Sequence, residues 1–336
     1  MRIEQNYALE SHNTFRLPVT TRWFMEYENE EELTRILRDE FFQENRSLSI
    51  GEGSNLLFIN DYDGIILHSH IKGIVITEDT PDSVLLRIGA AEHWDDVVAY
   101  TVSKGWGGLE NLSHIPGEAG AAAVQNIGAY GVEIKDVLET VEAYNQLTCR
   151  KQVFRNAACR YDYRHSYFKE TGHDPYIITS ISLRLQKKPR YKLDYGYLSE
   201  VMSNRKITVQ AIRDAVIEIR RSRLPEPATL GNAGSFFMNP VIPQSQYNEL
   251  KNRFTSIPSY PAPDGTVKIP AGWLIEQCGF KGKREGAVGV YEKQALIIVN
   301  HGGATGSEIA AFAEKISRTV FDTFGIPLTP EVKYIY

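Results

Sequence analysis

Cysteine is scarce in this 336-residue chain: Cys149, Cys159 and Cys278 are its only three, and no two of them form a CxxC pair. That disfavours a disulfide framework and fits a reducing compartment. Each cysteine is expected to be a small, buried or half-buried side chain. Long apolar runs are missing as well. None approaches the roughly 18 residues that span a bilayer, so no membrane association is expected. Met1 to Phe15 contains no apolar core of the secretory kind, so no signal peptide is expected and a cytoplasmic location fits. Positive charge is not in excess: 37 Lys and Arg face 42 Asp and Glu, for a net charge of −5. This disfavours a nucleic-acid partner. Small anionic ligands stay open, because a basic pocket needs no basic total. The 8 histidines are scattered. His68 and His70 share a strand face without an evident third ligand, so no metal site is expected. No internal repeat or low-complexity tract is visible.

What is present reads as a mixed α+β chain, long enough for two or three packed subdomains. Apolar Leu33, Ile36, Leu37 and Phe41 predict a helix over 30–42, with acids in its first turn. SLSIGEGSNLLF reads as strand, glycine turn, strand. GIILHSH and GIVIT read as short strands, and HWDDVVAYTVSKGW as a helix ending near Gly105. LETVEAYNQ, RKQVFR and YIITSISLRLQ read as strands. KKPRYKLDYGYLSEVM is a tyrosine-rich insertion. ITVQAIRDAVIEIRRSRLPEP is an amphipathic helix stopped by Pro225 and Pro227. Further on come the strand QALIIVN and a helix from about Ser307, striped by Ile309, Phe312, Ile316 and Val320. The final strand, PEVKYIY, is expected to return to an earlier sheet.

Several stretches offer chemistry. GEGSN, Gly51 to Asn55, looks like half a dinucleotide fingerprint. The full GxGxxG fails at Leu56, and a strand follows where a helix should open. Either a tight turn or a nest of N–H groups for a diphosphate remains. Small residues dominate Gly105 to Gly131. They form either a chain of turns packed under another element or the bed of a large flat ligand. Arg164, in YDYRHSYFK, either stacks on rings or aims its fork at a carboxylate. Glu331 alone reads as a strand-edge acid. Ser235, in GNAGSFFMNP, stands on bare backbone. It is no GxSxG elbow, since Ala233 and Phe237 hold the outer positions, so a serine hydrolase is disfavoured. Arg213, Arg220, Arg221 and Arg223 read as a solvated helix face, with Arg223 past the helix and best placed for a phosphate. Lys281, Lys283 and Arg284 with Gly282 make a second such loop.

Taken in order, NTF, GEGSN, GLENLSHIPG, QNIGAYG, YRHSYF, GNAGSFFMNP, AGWLIEQCGFKG, EKQAL and PEVKY resemble the UDP-N-acetylenolpyruvoylglucosamine reductase family over nearly the whole chain. Each motif is weak alone; the ordered set is specific. The insertion around Tyr195 resembles the form of the family with a tyrosine-bearing substrate loop. The resemblance implies an α+β fold of three subdomains. Two would bind FAD in the vanillyl-alcohol-oxidase (PCMH-type) manner, over 1–72 and 73–222, with 331–336 returning to the first. A C-terminal α+β substrate domain would cover 223–330. The resemblance also implies non-covalent FAD, NADPH as co-substrate and UDP-N-acetylglucosamine enolpyruvate as substrate, reduced to UDP-N-acetylmuramate for the bacterial cell wall. A monomer is expected.

By the same resemblance, Gly51, Glu52, Gly53, Ser54, Asn55, Ile115, Pro116, Gly117, Gly120, Ala121, Ala122, Gln125, Asn126, Gly128 and Gly131 line FAD. Ser235 would donate a proton. Arg164 and Glu331 would stabilise an enolate-like species, Glu331 as a protonated donor. Tyr195, Arg223, Asn239, Tyr260, Lys281 and Gln294 would lie near the UDP-sugar. The chain departs from the family pattern in places. Arg223 stands where Lys is expected, Ala122 and Ala123 where a hydroxyl residue is often seen, and Met238 where the residue is often basic. Two other readings stay open. An FAD oxidase of the same fold leaves Ser235, Arg164 and Glu331 without a task, and a flavin- or nucleotide-sugar-binding module needs no proton donor.

Overall fold

The computed structural model describes residues 1–170 and 175–336. The chain forms two compact units. Met1–Tyr7, Thr21–Glu52 and Asp63–Ser222 make the first; Ala8–Thr20, Gly53–Tyr62 and Arg223–Tyr336 make the second.

The first unit carries two sheets, each with its own apolar core. One has the order Arg2–Ala8, Thr20–Tyr27, Tyr62–Ser69, Ser47–Ile50. Its last pair is parallel, with Ser47 opposite Ile65 and Ile50 opposite His68. Met25, Tyr27, Ile65 and Leu67 from this sheet pack with Leu33, Ile36 and Leu37. The other sheet is antiparallel throughout: Arg150–Arg155, Leu138–Asn145, Tyr176–Gln186, Ser83–Gly89, Ile74–Asp79. Its inward residues, among them Val84, Leu86, Ile88, Val141, Ile181 and Leu183, bury Trp94, Val97 and Val98 of the Trp94–Ser103 helix. A charged network joins the helix at Glu30 to the second sheet. Arg87 and Lys151 pair with both Glu30 and Glu142, and Tyr144 and Thr179 donate to Glu30.

In the second unit, Gly231–Asn232, Ile298–Asn300, Val288–Val290 and Arg284–Glu285 form an antiparallel sheet in that order. Val241–Pro243, Thr266–Lys268 and Tyr260–Pro261 form another. The final strand, Lys333–Ile335, runs parallel to Leu56–Phe58, with Lys333 opposite Leu56. The Gly306–Phe324 helix opens on a capping box between Thr305 and Glu308 and closes on Gly325 at φ +66°, as its sequence signals imply. Gly306 is obligatory. A Cβ there would sit 1.8 Å from the Phe58 carbonyl oxygen. No helix among the described residues is long and apolar enough to cross a membrane.

Three expectations need correction. The helix predicted over 30–42 breaks at Asp39, whose ψ of 130° leaves the helical region; Glu30–Arg38 ends there, and the Asp39 side chain caps Glu40–Glu44. The small-residue region is not only turns, because Ala119–Gln125 is a helix. Its residues are too uniformly small to show periodicity. Arg223 is not past the long helix but is its last residue, over Val209–Arg223.

Candidate active site

In the first unit, the IPG turn is stitched to the start of the Trp94–Ser103 helix. The Trp94 indole donates to the Leu112 carbonyl at 2.9 Å. The Trp94 backbone N–H donates to Gly117 at 2.8 Å, and Ala119 N–H to Glu92 at 2.9 Å. Glu52 reaches the same turn, its carboxylate accepting from Gly117 N–H at 3.0 Å. So the first half of GEGSN and the IPG turn form one corner. Gly117 has φ +116°, which residues with a side chain rarely adopt. At Gly51 a Cβ would lie 2.7 Å from Glu118 Oε2. Pro116 is exposed, and Ile115, Ala121 and Gln125 are half-buried. The open edge of the corner is thus backbone, small side chains and one amide. That composition fits the expected FAD, with bare backbone and small side chains against which a flat ring can lie.

Other members of the expected flavin set have structural tasks. Gly120 and Ala122 are buried, and a Cβ on Gly120 would lie 2.9 Å from that of Ala90. Their smallness lets the Ala119–Gln125 helix lie close to its sheet. Asn126 ends that helix at φ +46°. It is buried, and its amide donates to Glu133 Oε2 at 3.1 Å and to the Asp162 carbonyl at 2.8 Å.

That last bond reaches the arginine loop. Asp162 and His165 exchange backbone hydrogen bonds around a turn, with Arg164 at φ +54° on it. Arg164 Nη2 donates to the Gly128 carbonyl at 2.7 Å, and its guanidinium lies over the Tyr163 ring. The buried Ser166 hydroxyl donates to Val124 at 2.6 Å. Residues 124–128 therefore hold the 162–166 loop by three separate bonds. Asn111 ties the end of QNIGAYG to the tyrosine-rich insertion, donating to Tyr130 and Lys192 carbonyls, both at 2.9 Å. Tyr130 meets Tyr195 edge-on at 6.3 Å between centroids, and Gly131 faces the Tyr195 Cβ. Tyr195 itself is 50% exposed.

The second unit builds its part from backbone. Phe236 N–H donates to Leu296 at 2.8 Å, Met238 N–H to Thr329 at 2.9 Å, and Glu331 N–H to Phe236 at 2.8 Å. GSFFM thus runs between EKQAL on one side and TPEV on the other. Lys333 N–H donates to the Asn55 carbonyl at 3.0 Å, and the Asn55 amide donates to the Glu331 carbonyl at 3.1 Å. Ser235, Glu331 and Asn55 are brought to one neighbourhood. In GNAG, Gly231 serves packing: a Cβ there would lie 2.4 Å from the Phe15 carbonyl oxygen. Gly234, at φ +70°, faces open space, and Asn232 Oδ1 accepts its N–H at 2.9 Å. Ser235 is exposed and Glu331 half-buried. Asn239 and Gln294 meet the start of the Ala271–Gln277 helix. Asn239 Oδ1 accepts from Ala271 N–H at 2.9 Å, and Gln294 Oε1 would lie 3.1 Å from a Cβ on Gly272. Arg223, Tyr260 and Lys281 are exposed on other elements; Lys281 pairs with Glu276.

Sequence reasoning missed the residues that hold these loops. Arg213 and Arg220 are half-buried rather than a solvated face. Arg213 forks onto Asp95, and Arg220 donates to the His114 carbonyl. Burial works against the Asp95 carboxylate, yet Arg213 and the His114 N–H hold its pKa below the usual range. Glu26 lies between the two strand histidines, 2.9 Å from His70 and 3.4 Å from His68. Cys159 is buried, and burial pushes its thiol up to about 11, so it is no nucleophile.

A family model described as the C-terminal domain of UDP-N-acetylenolpyruvoylglucosamine reductase matches residues 226–335. An FAD binding domain matches residues 22–148. The chain is 53% identical to the UDP-N-acetylenolpyruvoylglucosamine reductase of Porphyromonas gingivalis, over 100% of both chains. It is 44% identical to that of Bacteroides fragilis, over 99% of this chain and 100% of the other. The crystal structure of the Thermus caldophilus UDP-N-acetylenolpyruvylglucosamine reductase matches with a TM-score of 0.71 at 21% identity, covering 100% of each chain. The architecture is therefore α+β, an FAD-binding domain with a distinct C-terminal domain.

Proposed function

The chain belongs to the UDP-N-acetylenolpyruvoylglucosamine reductase family, and on that premise we propose that it reduces the enolpyruvyl group of UDP-N-acetylglucosamine enolpyruvate to the lactyl ether. The product is UDP-N-acetylmuramate for peptidoglycan. Bound non-covalently, FAD would supply a hydride, drawn from NADPH, for the terminal carbon of the double bond. Negative charge then develops on the neighbouring carbon and spreads into its carboxylate.

Ser235 supplies the proton to that carbon. The single observation that carries this assignment is the backbone ladder that sets GSFFM against Glu331. It leaves Ser235 exposed beside the open space at Gly234. A serine hydroxyl is a poor acid, but Brønsted matching concerns donor and acceptor together, and this acceptor is strongly basic. Arg164 and Glu331 stabilise the developing charge, electrostatic work that preorganised groups do best. Arg164 is preorganised by its left-handed turn and by its bond to Gly128. Gly51–Asn55, Ile115–Gly117, Gly120, Ala121, Ala122, Gln125, Asn126, Gly128 and Gly131 line or buttress the FAD site. Tyr195, Arg223, Asn239, Tyr260, Lys281 and Gln294 meet the UDP-sugar. The enzyme works in the cytoplasm as a monomer on small-molecule partners.

Anaerobic NADPH oxidation by the purified yellow protein is expected only when the enolpyruvyl UDP-sugar is added. If oxygen serves as well as that substrate, the protein is an oxidase of the same fold. A colourless protein that takes up no FAD would sink both.

A further inference from the structure

Three charged side chains converge on the backbone of one residue of the first unit. His114, the residue before Ile115–Gly117, has φ +60°. Its N–H donates to Asp95 Oδ1 at 2.5 Å, and its carbonyl accepts from Arg220 Nε at 2.9 Å. Arg213 holds Asp95 in turn, Nη1 to Oδ1 at 2.6 Å and Nη2 to Oδ2 at 2.8 Å. The Arg213 and Asp95 side chains are only 12% and 19% exposed. Arg213 and Arg220 lie two turns apart on the Val209–Arg223 helix and so project from one face of it. A single helix thus feeds both arms of the clamp.

A non-glycine residue in the left-handed region persists only where its surroundings over-determine it. Here both backbone hydrogen-bonding groups of the residue are taken by ionised partners, which make the stronger kind of bond. Stability alone does not call for this, because a buried ion pair is often no better than an apolar pair of the same size. What the pair does secure is one backbone geometry at His114, and with it the direction in which Ile115, Pro116 and Gly117 follow.

We propose that Asp95, Arg213 and Arg220 are positioning residues for cofactor binding. They hold His114 left-handed and preset the Ile115–Gly117 turn to receive FAD. The proposal rests on the reading of that turn as part of the FAD site. Without the clamp the turn would visit the competent geometry only part of the time, and apparent affinity would fall by that fraction.

The test uses full-length apoprotein titrated with FAD and followed by quenching of flavin fluorescence. Circular-dichroism melts of the same samples check the fold. Asp95→Asn is expected to weaken FAD binding by about tenfold to a hundredfold, the range for losing a charge-assisted hydrogen bond. Adding His114→Gly to Asp95→Asn is expected to recover most of that loss, because glycine adopts φ near +60° unaided. Hydrogen exchange at residues 114–117 of the apoprotein should rise in Asp95→Asn. If Asp95→Asn does not fold, Arg213→Lys, which keeps the charge and loses the fork, takes its place in the same comparison. Unchanged FAD affinity in the folded variant overturns the proposal. So does a loss that His114→Gly fails to recover, since that marks a general packing role. Wild-type protein that binds no FAD, or binds it without protecting 115–117, instead sinks the reading of the turn.

Discussion

The two units hold their functional loops by different means. In the first, side chains reach across to loop backbones: Asp95 and Arg220 to His114, Asn126 to Asp162, Ser166 to Val124, Glu52 to Gly117. In the second, GSFFM is held mainly by backbone bonds, from Phe236 to Leu296, from Glu331 to Phe236 and from Met238 to Thr329, around a single bridge between Phe237 and Pro330. Irregular loops have no ladder, so their buried polar groups must be satisfied by side chains. Where two segments lie side by side, their backbone groups satisfy each other. The first arrangement can therefore be undone by one side-chain deletion, whereas the backbone bonds that hold GSFFM do not depend on any one side chain.

Ser235→Ala should give the largest effect. It should leave flavin reduction by NADPH nearly intact and slow reoxidation by substrate by about 10²–10⁴-fold. The melting temperature should hardly change, because the ladder does not use the hydroxyl. Stopped-flow absorbance of the two half-reactions checks this, and an unchanged second half-reaction removes Ser235 from the mechanism. Gly53→Ala probes the backbone of the second unit. Gly53 has φ +66°, and a Cβ would sit 2.0 Å from the His12 carbonyl oxygen. A loss of more than about 4 kcal/mol, seen as insoluble or unfolded protein, is expected. Near-wild-type stability would mean that this unit is looser than its ladder implies.

Asn126→Ala should cost about 1–2 kcal/mol in urea melts, since it removes the buried amide's bonds to Glu133 and to the Asp162 carbonyl. It should also lower kcat through the Arg164 turn. A stability loss without a kcat change would mean that the turn is held by Ser166 and the Arg164–Gly128 bond alone. The smallest effect concerns pH. The hydrogen bond from Arg87, against the opposing effect of burial and with help from Lys151, holds Glu142 at about 2. Because this pKa is depressed on folding, its contribution is present above the unfolded value near 4.3. It is lost as pH falls toward 2. Glu142→Gln should flatten that part of the stability–pH curve, measured by thermal melts between pH 6 and 2. An identical slope in the variant would show that other carboxylates set the acid limb.

The sheets and long helices were legible because their information is local. LETVEAYNQ and YIITSISLRLQ alternate, and Gly306–Phe324 carries its apolar stripe, box and glycine stop. Ala119–Gln125 was not legible, since alanines and a glycine show no period. The break at Asp39 was hidden because Glu30 to Phe42 keeps helical spacing through it. The site was legible as an ordered set of weak motifs. Its support was not. Asp95 looks like any acid in a first turn, and Arg213, 118 residues later, like any surface arginine. Only folding brings them together. The same holds for Ser235 and Glu331, joined through the Phe236 carbonyl.

One feature of the second unit bears on its synthesis. Its parts lie at 8–20, 53–62 and 223–336, and its last strand, Lys333–Ile335, pairs with Leu56–Phe58. On a ribosome, the segment that includes Phe15 emerges roughly 15 to 60 seconds before that strand, at ordinary elongation rates of about 5–20 residues per second. During this interval Phe15, Leu57 and Phe58, all fully buried in the finished protein, wait without their final neighbours. Nascent-chain chaperones and proteases meet the molecule in that state. A ribosome stalled just short of the C-terminus would release a chain whose second unit never closes.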